Sequence, residues 1–205
     1  MAYVDITSEF CADPEGFMAG NVVMQWIQHN TDEIIKVGVK FIEGATIDNK
    51  PKGKVCFFYI KEDTPRLPVY WCPYAQNSVK SAMLGNDALF ALTVAVTGCS
   101  VGLGSGGKGV QMMCHANSAE IGNDWKSVSM EAAAARQAQS QDAQLRYKLG
   151  QDLTLASPVA YRAADRQTMV TFYAVHGLGL PWMLFGLNYK KIGASLYNHG
   201  GVTRY

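Results

Sequence analysis

Cys99 and His115 are the two side chains of this 205-residue sequence whose types and setting point most directly to chemistry. Cys99 closes the run Val96-Thr97-Gly98-Cys99, in which Gly98 carries no side chain to bar a substrate carbonyl from the backbone. A thiol is mostly protonated at neutral pH, and an adjacent imidazole can take its proton and create the nucleophile. The backbone amides at Gly98 and Cys99 are natural donors to the oxyanion formed when sulfur adds to a carbonyl. The two residues meet only if the chain folds back between them. A hairpin centred on Gly107 sets Leu103 against Gln111 and Cys99 against His115, with Cβ atoms roughly 4.5–5.5 Å apart. A one-residue slip would turn the two side chains to opposite faces.

The other histidines are weaker candidates. His29 falls in a helix-like stretch, where a polar surface position accounts for it, and His199 lies in a glycine-rich tail. His176 follows a strand-like run and is the second candidate base. Cys114 should face away from Cys99 by strand alternation. Five cysteines (Cys11, Cys56, Cys72, Cys99 and Cys114) without CxxC spacing fit neither a disulfide framework nor a zinc ribbon. Four scattered histidines without HExxH spacing suggest no metal site. Reduced thiols, no metal and no cofactor are therefore expected.

The run Gly102-Leu103-Gly104-Ser105-Gly106-Gly107 matches the GxGxxG of dinucleotide loops. Residues 102–108 also approach a phosphate loop, but Gly109 stands where Ser or Thr would hold magnesium. Both motifs work by leading into a helix whose N-terminal amides receive the phosphate. Here the glycines lead into Val110-Gln111-Met112-Met113, which reads as extended. A hairpin connection is the preferred reading.

Elements must hold these residues in place. Residues 91–103 read as a strand followed by the glycine loop, and residues 110–115 as the returning strand. Residues 54–61 and 67–72 read as short strands, and residues 169–175 as another. Residues 20–37 approximate one helical face through Val23, Trp26, Ile27, Ile34 and Ile35. Residues 78–90 read as a short helix with a weak point at Gly85. Residues 124–149, with an alanine run and Gly150 just beyond, form the best helix pattern. The glycine- and aromatic-rich tail suggests no firm assignment. The expected fold is mixed α/β: a single domain, residues 1–205, with a central sheet or a sandwich flanked by helices.

Bulk properties narrow the function. Apolar residues make up 48% and charged residues 17%, a globular balance. Eighteen basic and 17 acidic residues give a net charge of +1, without a dense Lys/Arg block, so no direct nucleic-acid partner is expected. The first residues lack the basic-then-apolar pattern of a secretory signal. The most apolar stretch, residues 178–187, is short and broken by Gly179, Pro181 and Gly186. A cytoplasmic protein without membrane association is expected.

Through Val96-Thr97-Gly98-Cys99, His115 and the spacing between them, the sequence resembles the glutamine deamidase toxins. These are the catalytic domain of cytotoxic necrotizing factor and the compact Burkholderia lethal factor. Thr97 stands where those proteins have serine, and the glycine-rich run between the two residues is a further departure. The resemblance covers residues 93–117. In the lethal-factor family a threonine six residues before the cysteine joins the active site, and Thr93 stands at that offset. Six residues of straight strand span roughly 20 Å. Thr93 can therefore take part only if the chain bends around Thr97-Gly98, or if it orients His115 from a neighbouring strand.

The resemblance implies a toxin that hydrolyses a glutamine side-chain amide of a host cytosolic protein to glutamate. Necrotizing factors act on Rho-family GTPases, and the lethal factor acts on the DEAD-box helicase of translation initiation, blocking protein synthesis. Similar size and a stand-alone, monomeric domain favour the helicase. Papain-type proteases also pair Cys with His, but there the cysteine caps a helix. A cysteine peptidase or acyltransferase using the same pair is the alternative enzyme, and a non-catalytic protein-binding module is the alternative of another class. Residues 61–68 and 177–186 are expected as loops that meet the protein target.

Overall fold

Runs of four to ten residues rich in Val, Ile, Phe and Tyr, punctuated by Gly, Pro and Asn, build a protein dominated by strands. The computed structural model describes residues 2–107, 109–161, 167–177 and 180–205. Lys108, in the glycine loop, and Leu178 and Gly179, in the apolar tail segment, lie outside the described residues. The first half contains β1 (Tyr3–Asp5), α1 (Thr7–Ala12), α2 (Pro14–Gly20), β2 (Val22–Gln25), β3 (Ile34–Ile42), β4 (Thr46–Ile47), β5 (Val55–Ile60), β6 (Leu67–Cys72), β7 (Ser78–Met83) and β8 (Phe90–Thr93). The second half contains β9 (Ser100–Gly104), β10 (Met112–Asn117), α3 (Ala119–Gly122), a 3-10 turn (Asp124–Lys126) and α4 (Met130–Leu149). It continues through β11 (Thr154–Ala156), α5 (Pro158–Tyr161), β12 (Met169–His176), β13 (Trp182–Lys191) and β14 (Leu196–Arg204).

Two sheets result. The larger has ten strands in the order β2-β5-β3-β6-β8-β12-β13-β14-β4, with β1 added on β3, and it mixes parallel and antiparallel pairs. The smaller, β11-β9-β10-β7, is antiparallel throughout. They pack face to face: Cys72, Ala91, Phe172 and Leu184 of the large sheet share a core with Val101, Leu103, Met113 and Ala156 of the small one. The outer face of the large sheet is covered by Phe10, Phe17 and Met18 of α1 and α2. The outer face of the small sheet carries Cys114 and Ala116 against Leu145 and Leu149 of α4. The chain is thus a single-domain mixed α/β protein with a two-sheet centre and helices outside, as the sequence led us to expect.

Several local expectations need correction. Residues 20–37 are not a helix: β2 and the start of β3 lie in the segment, joined by irregular chain. All four residues of β2 are buried, and a short apolar run buried on both faces has no periodicity to separate strand from helix. Residues 78–90 hold β7, a connection and the start of β8 in place of a helix. The best helix begins later than residue 124. Ser129 caps it, its hydroxyl accepting the Ala132 N–H at 3.2 Å, and Gly150 ends it at φ 89°. The tail forms β13 and β14, which pair antiparallel with each other. Its glycines permit this, since a Cβ on Gly186 would lie 2.9 Å from the Phe172 ring on the neighbouring strand.

Candidate active site

The hairpin exists, but its register is shifted by two residues from the one expected. Gly104 pairs with Met112 and Val101 with His115, and the connection runs through Gly106 and Gly107, both at positive φ (57° and 71°). A shift of two preserves the face, so His115 and Cys99 still share one side as diagonal neighbours. Asn117 takes the place directly across from Cys99. The remaining glycines of the run serve helix packing: a Cβ on Gly102 would lie 2.8 Å from Leu149 Cδ1 of α4.

Thr93 does reach His115, because the chain crosses between the two sheets. Thr93 ends β8 in the large sheet, Val96 makes a two-bond bridge to Val170, and Cys99 arrives at the mouth of β9 in the small sheet. Across the packed sheets, Thr93 Oγ1 lies 2.8 Å from His115 Nδ1, both residues fully buried. Both routes considered for Thr93 are therefore used at once: the chain bends, and the threonine meets the histidine from another sheet.

Cys72, the parallel-strand partner of Thr93, has its sulfur 3.3 Å from the Met113 carbonyl, to which its S–H donates. The direction of the Thr93–His115 bond follows the imidazole tautomer: with the proton on Nδ1, the Thr93 oxygen accepts from it and the Nε2 lone pair is available as a base. Nε2 has no hydrogen-bond partner among the described residues. Burial holds the imidazole down to about 4, so it is neutral at physiological pH.

Cys99 is 8% exposed and opens, with His115, onto one cavity of about 480 Å³. Asn117 and Tyr74 line it too, along with residues 27–30 and 94–97. The Tyr74 ring sits 5.3 Å from the His115 ring. Asn117 Nδ2 donates to Cys99 Sγ at 3.1 Å.

The turn before the cysteine is held from the helical side. Gln141 of α4, fully buried, donates from Nε2 to the Gly98 carbonyl at 3.0 Å, and the Tyr161 hydroxyl donates to the Cys99 carbonyl at 2.6 Å. In a trans peptide the N–H points opposite to the C=O. Fixing the Gly98 carbonyl to α4 therefore aims the Cys99 N–H away from that helix. Gly98 itself does not line the cavity; its contribution is the carbonyl that Gln141 grips.

The other sequence candidates separate from this centre, with one exception. His176 stacks on Trp182, ring centroids 5.1 Å apart, and does not line the cavity. His199 is buried beside Met18, its Nδ1 accepting the Gly201 N–H. Cys114 faces α4, as alternation requires. His29 is the exception: it lies on no helix and lines the cavity, with Nε2 2.5 Å from Glu33. Neither residues 61–68 nor the described part of 177–186 lines the cavity. Among the described residues no cluster of His, Cys, Asp and Glu could hold a metal ion, and no helix is long and apolar enough to cross a membrane.

Asn117, Tyr74 and Gln141 join the site beyond the sequence candidates, and Ile27 and His29 line the cavity where a helix face and a surface position were expected. Asn117 was within reach of the sequence, since a residue two positions after His115 on the same strand shares its face. Gln141 had no signal, as a glutamine in a helix is ordinarily a surface residue. Compared with known protein families and with curated proteins, the chain matches none.

Proposed function

We propose that this protein is a cysteine-dependent protein glutamine deamidase. One observation carries the proposal most: the 2.8 Å bond by which Thr93 fixes His115 behind Cys99 in a shared cavity. It completes a nucleophile, a base and an orienting group, the arrangement that activates a weak nucleophile. The resemblance to the deamidase toxins concerns the same three residues.

In the reaction, His115 Nε2 takes the Cys99 thiol proton as sulfur bonds to the carboxamide carbon. The carbonyl π pair moves onto oxygen, where the Cys99 N–H receives the charge. Collapse of the tetrahedral species breaks the C–N bond, and His115 returns its proton to the departing nitrogen as ammonia leaves. Water then adds to the thioester with His115 as base. The C–S bond breaks, the thiol is regenerated, and glutamine plus water has become glutamate plus ammonia. A histidine that rests neutral suits this role, since it must begin as an acceptor.

The cavity lining favours a glutamine within a polypeptide over the free amino acid. Among the described residues no Asp, Glu, Lys or Arg lines it, and His29, the lining residue that could carry charge besides His115, is engaged by Glu33, so the lining offers no dedicated partner for an α-carboxylate and an α-ammonium group. A host cytosolic protein is the proposed substrate, and the DEAD-box helicase of translation initiation is the proposed target, on the resemblance. The protein would then act as a toxin that inhibits protein synthesis.

The test incubates wild-type and Cys99→Ser protein with eukaryotic cytosolic extract and reads glutamine-to-glutamate conversion by peptide mass spectrometry. Conversion at one site, absent with Cys99→Ser, is expected. Extracts that are indistinguishable would overturn the deamidase reading for cytosolic targets; chain cleavage or cross-linking would point to a peptidase or acyltransferase.

A further inference from the structure

We propose that Asn117 is a catalytic residue of this site, its side-chain amide holding the Cys99 sulfur as a thiolate while it attacks. The proposal rests on the reading of Cys99 as the nucleophile, and extends it to the group that stabilises the charged sulfur.

Asn117 Nδ2 lies 3.1 Å from Cys99 Sγ, and the side chain is buried in the cavity wall. Its orientation is not interchangeable. Oδ1 accepts two backbone N–H groups, from Ala119 at 3.0 Å and from Asn77 at 3.3 Å, so the oxygen is committed and the NH₂ end must face sulfur. Those donors are themselves fixed. Asn77 holds a left-handed conformation (φ 52°), which asparagine tolerates better than most residues, and its own Oδ1 accepts the Glu120 N–H at 2.9 Å. The loop before β7 and the start of α3 are thus stitched together around one amide. The bond to the Ala119 N–H is an Asx turn, and its consequence here is that the donor end of the amide is aimed at the reacting atom.

A hydrogen bond to a charged acceptor is roughly twice as strong as one to a neutral acceptor. The Asn117 amide therefore favours the thiolate over the thiol. Once the thiol proton has moved to His115 the imidazolium also favours the anion; the Asn117 amide differs in being in place before the proton moves. The other groups around Cys99 are Tyr74 in the cavity, Lys80 opposite His115 on β7, Asp142 of α4 on the neighbouring Ser100 hydroxyl, and His29 on the far rim with Glu33. Burial and the nearby Cys99 raise the Tyr74 hydroxyl above its ordinary value, so it stays protonated and neutral.

The test reads the thiol directly, without a substrate. The rate of iodoacetamide alkylation at Cys99 is followed against pH by mass spectrometry of the Cys99 peptide, in wild type, Asn117→Ala and Asn117→Asp. The midpoint should rise by about one to two pH units in Asn117→Ala. In Asn117→Asp it should rise at least as far, because a carboxylate keeps the two backbone bonds but turns an acceptor toward sulfur. A midpoint unchanged in a folded variant, with only the melting temperature lowered, would make Asn117 structural and overturn the proposal. A second measurement needs no variant. In ¹⁵N-labelled wild type, the Asn117 side-chain amide resonances should shift with the same midpoint as Cys99 alkylation, and resonances that stay still would overturn it. Because neither readout involves deamidation, failure of the extract experiment leaves both outcomes readable.

Discussion

Thr93 has a role separable from bulk packing, because its hydroxyl is the hydrogen-bond partner of His115 Nδ1. Without it, the imidazole can bind its proton on Nε2 and lose the lone pair that the thiol requires. Thr93→Ala should slow Cys99 alkylation at neutral pH by about tenfold, the worth of one buried hydrogen bond. Thr93→Ser keeps the oxygen and should retain most of the rate. An alanine variant that alkylates at the wild-type rate would show that the hydroxyl does not set the tautomer. At this scale Cys99 and His115 stand out by residue type and spacing, whereas Thr93 enters only through the resemblance to the deamidase toxins. Asn117 shares the face of His115 by strand alternation.

Helix α4 and strand β9 form one working unit at the next scale. The helix turns Ala133, Ala138, Gln141, Leu145 and Leu149 inward, and its last two leucines pack on a strand that carries glycine where a side chain would collide. That close approach lets Gln141 reach the Gly98 carbonyl. In Gly102→Val the new side chain has to displace Leu149 Cδ1, which stands 2.8 Å from the first added carbon. Overpacking of this kind costs about 1–3 kcal/mol, read from urea denaturation, and Cys99 reactivity should fall along with stability. A variant as stable as wild type would mean that α4 moves without strain. The glycines that imitate a nucleotide loop are accounted for by helix contact and by a turn.

Across the whole molecule, the site lies where two sheets meet, and acid should act on both fold and function through His115. Burial lowers its folded pKa from 6.5 to about 4, so the unfolded chain binds the proton more readily. Stability must then fall as pH drops from about 6.5 to about 4, where this contribution levels off. The loss is on the order of 3 kcal/mol by linkage. His199, also held down by burial, adds loss of the same sign. Asp5 has its carboxyl lowered: burial opposes ionisation, but hydrogen bonds from Lys61, Thr7 and Tyr59 outweigh it. It therefore withdraws stability only at more acid pH. Denaturation midpoints of wild type and His115→Gln between pH 7 and 4 isolate the His115 part. Parallel curves would mean that the imidazole is not buried neutral.

The sequence by itself determined the fold class, the long helix, the strands flanking the glycine run, and the choice of Cys99 and His115 as candidate nucleophile and base. These follow from local properties: residue type, helix capping, a glycine-rich reversal, and apolar runs bounded by turn residues. Only the tertiary structure decided the hairpin register, the contact between Thr93 and His115, and the wall of residues 27–30. The register depends on how the glycine connection closes, which a glycine run leaves open. The Thr93 contact depends on the chain crossing from one sheet to the other between residues 93 and 99, and strand patterns carry no record of sheet membership. Residues 27–30 line the cavity from the connection between β2 and β3, and β2, buried on both faces, has no period that separates it from a helix.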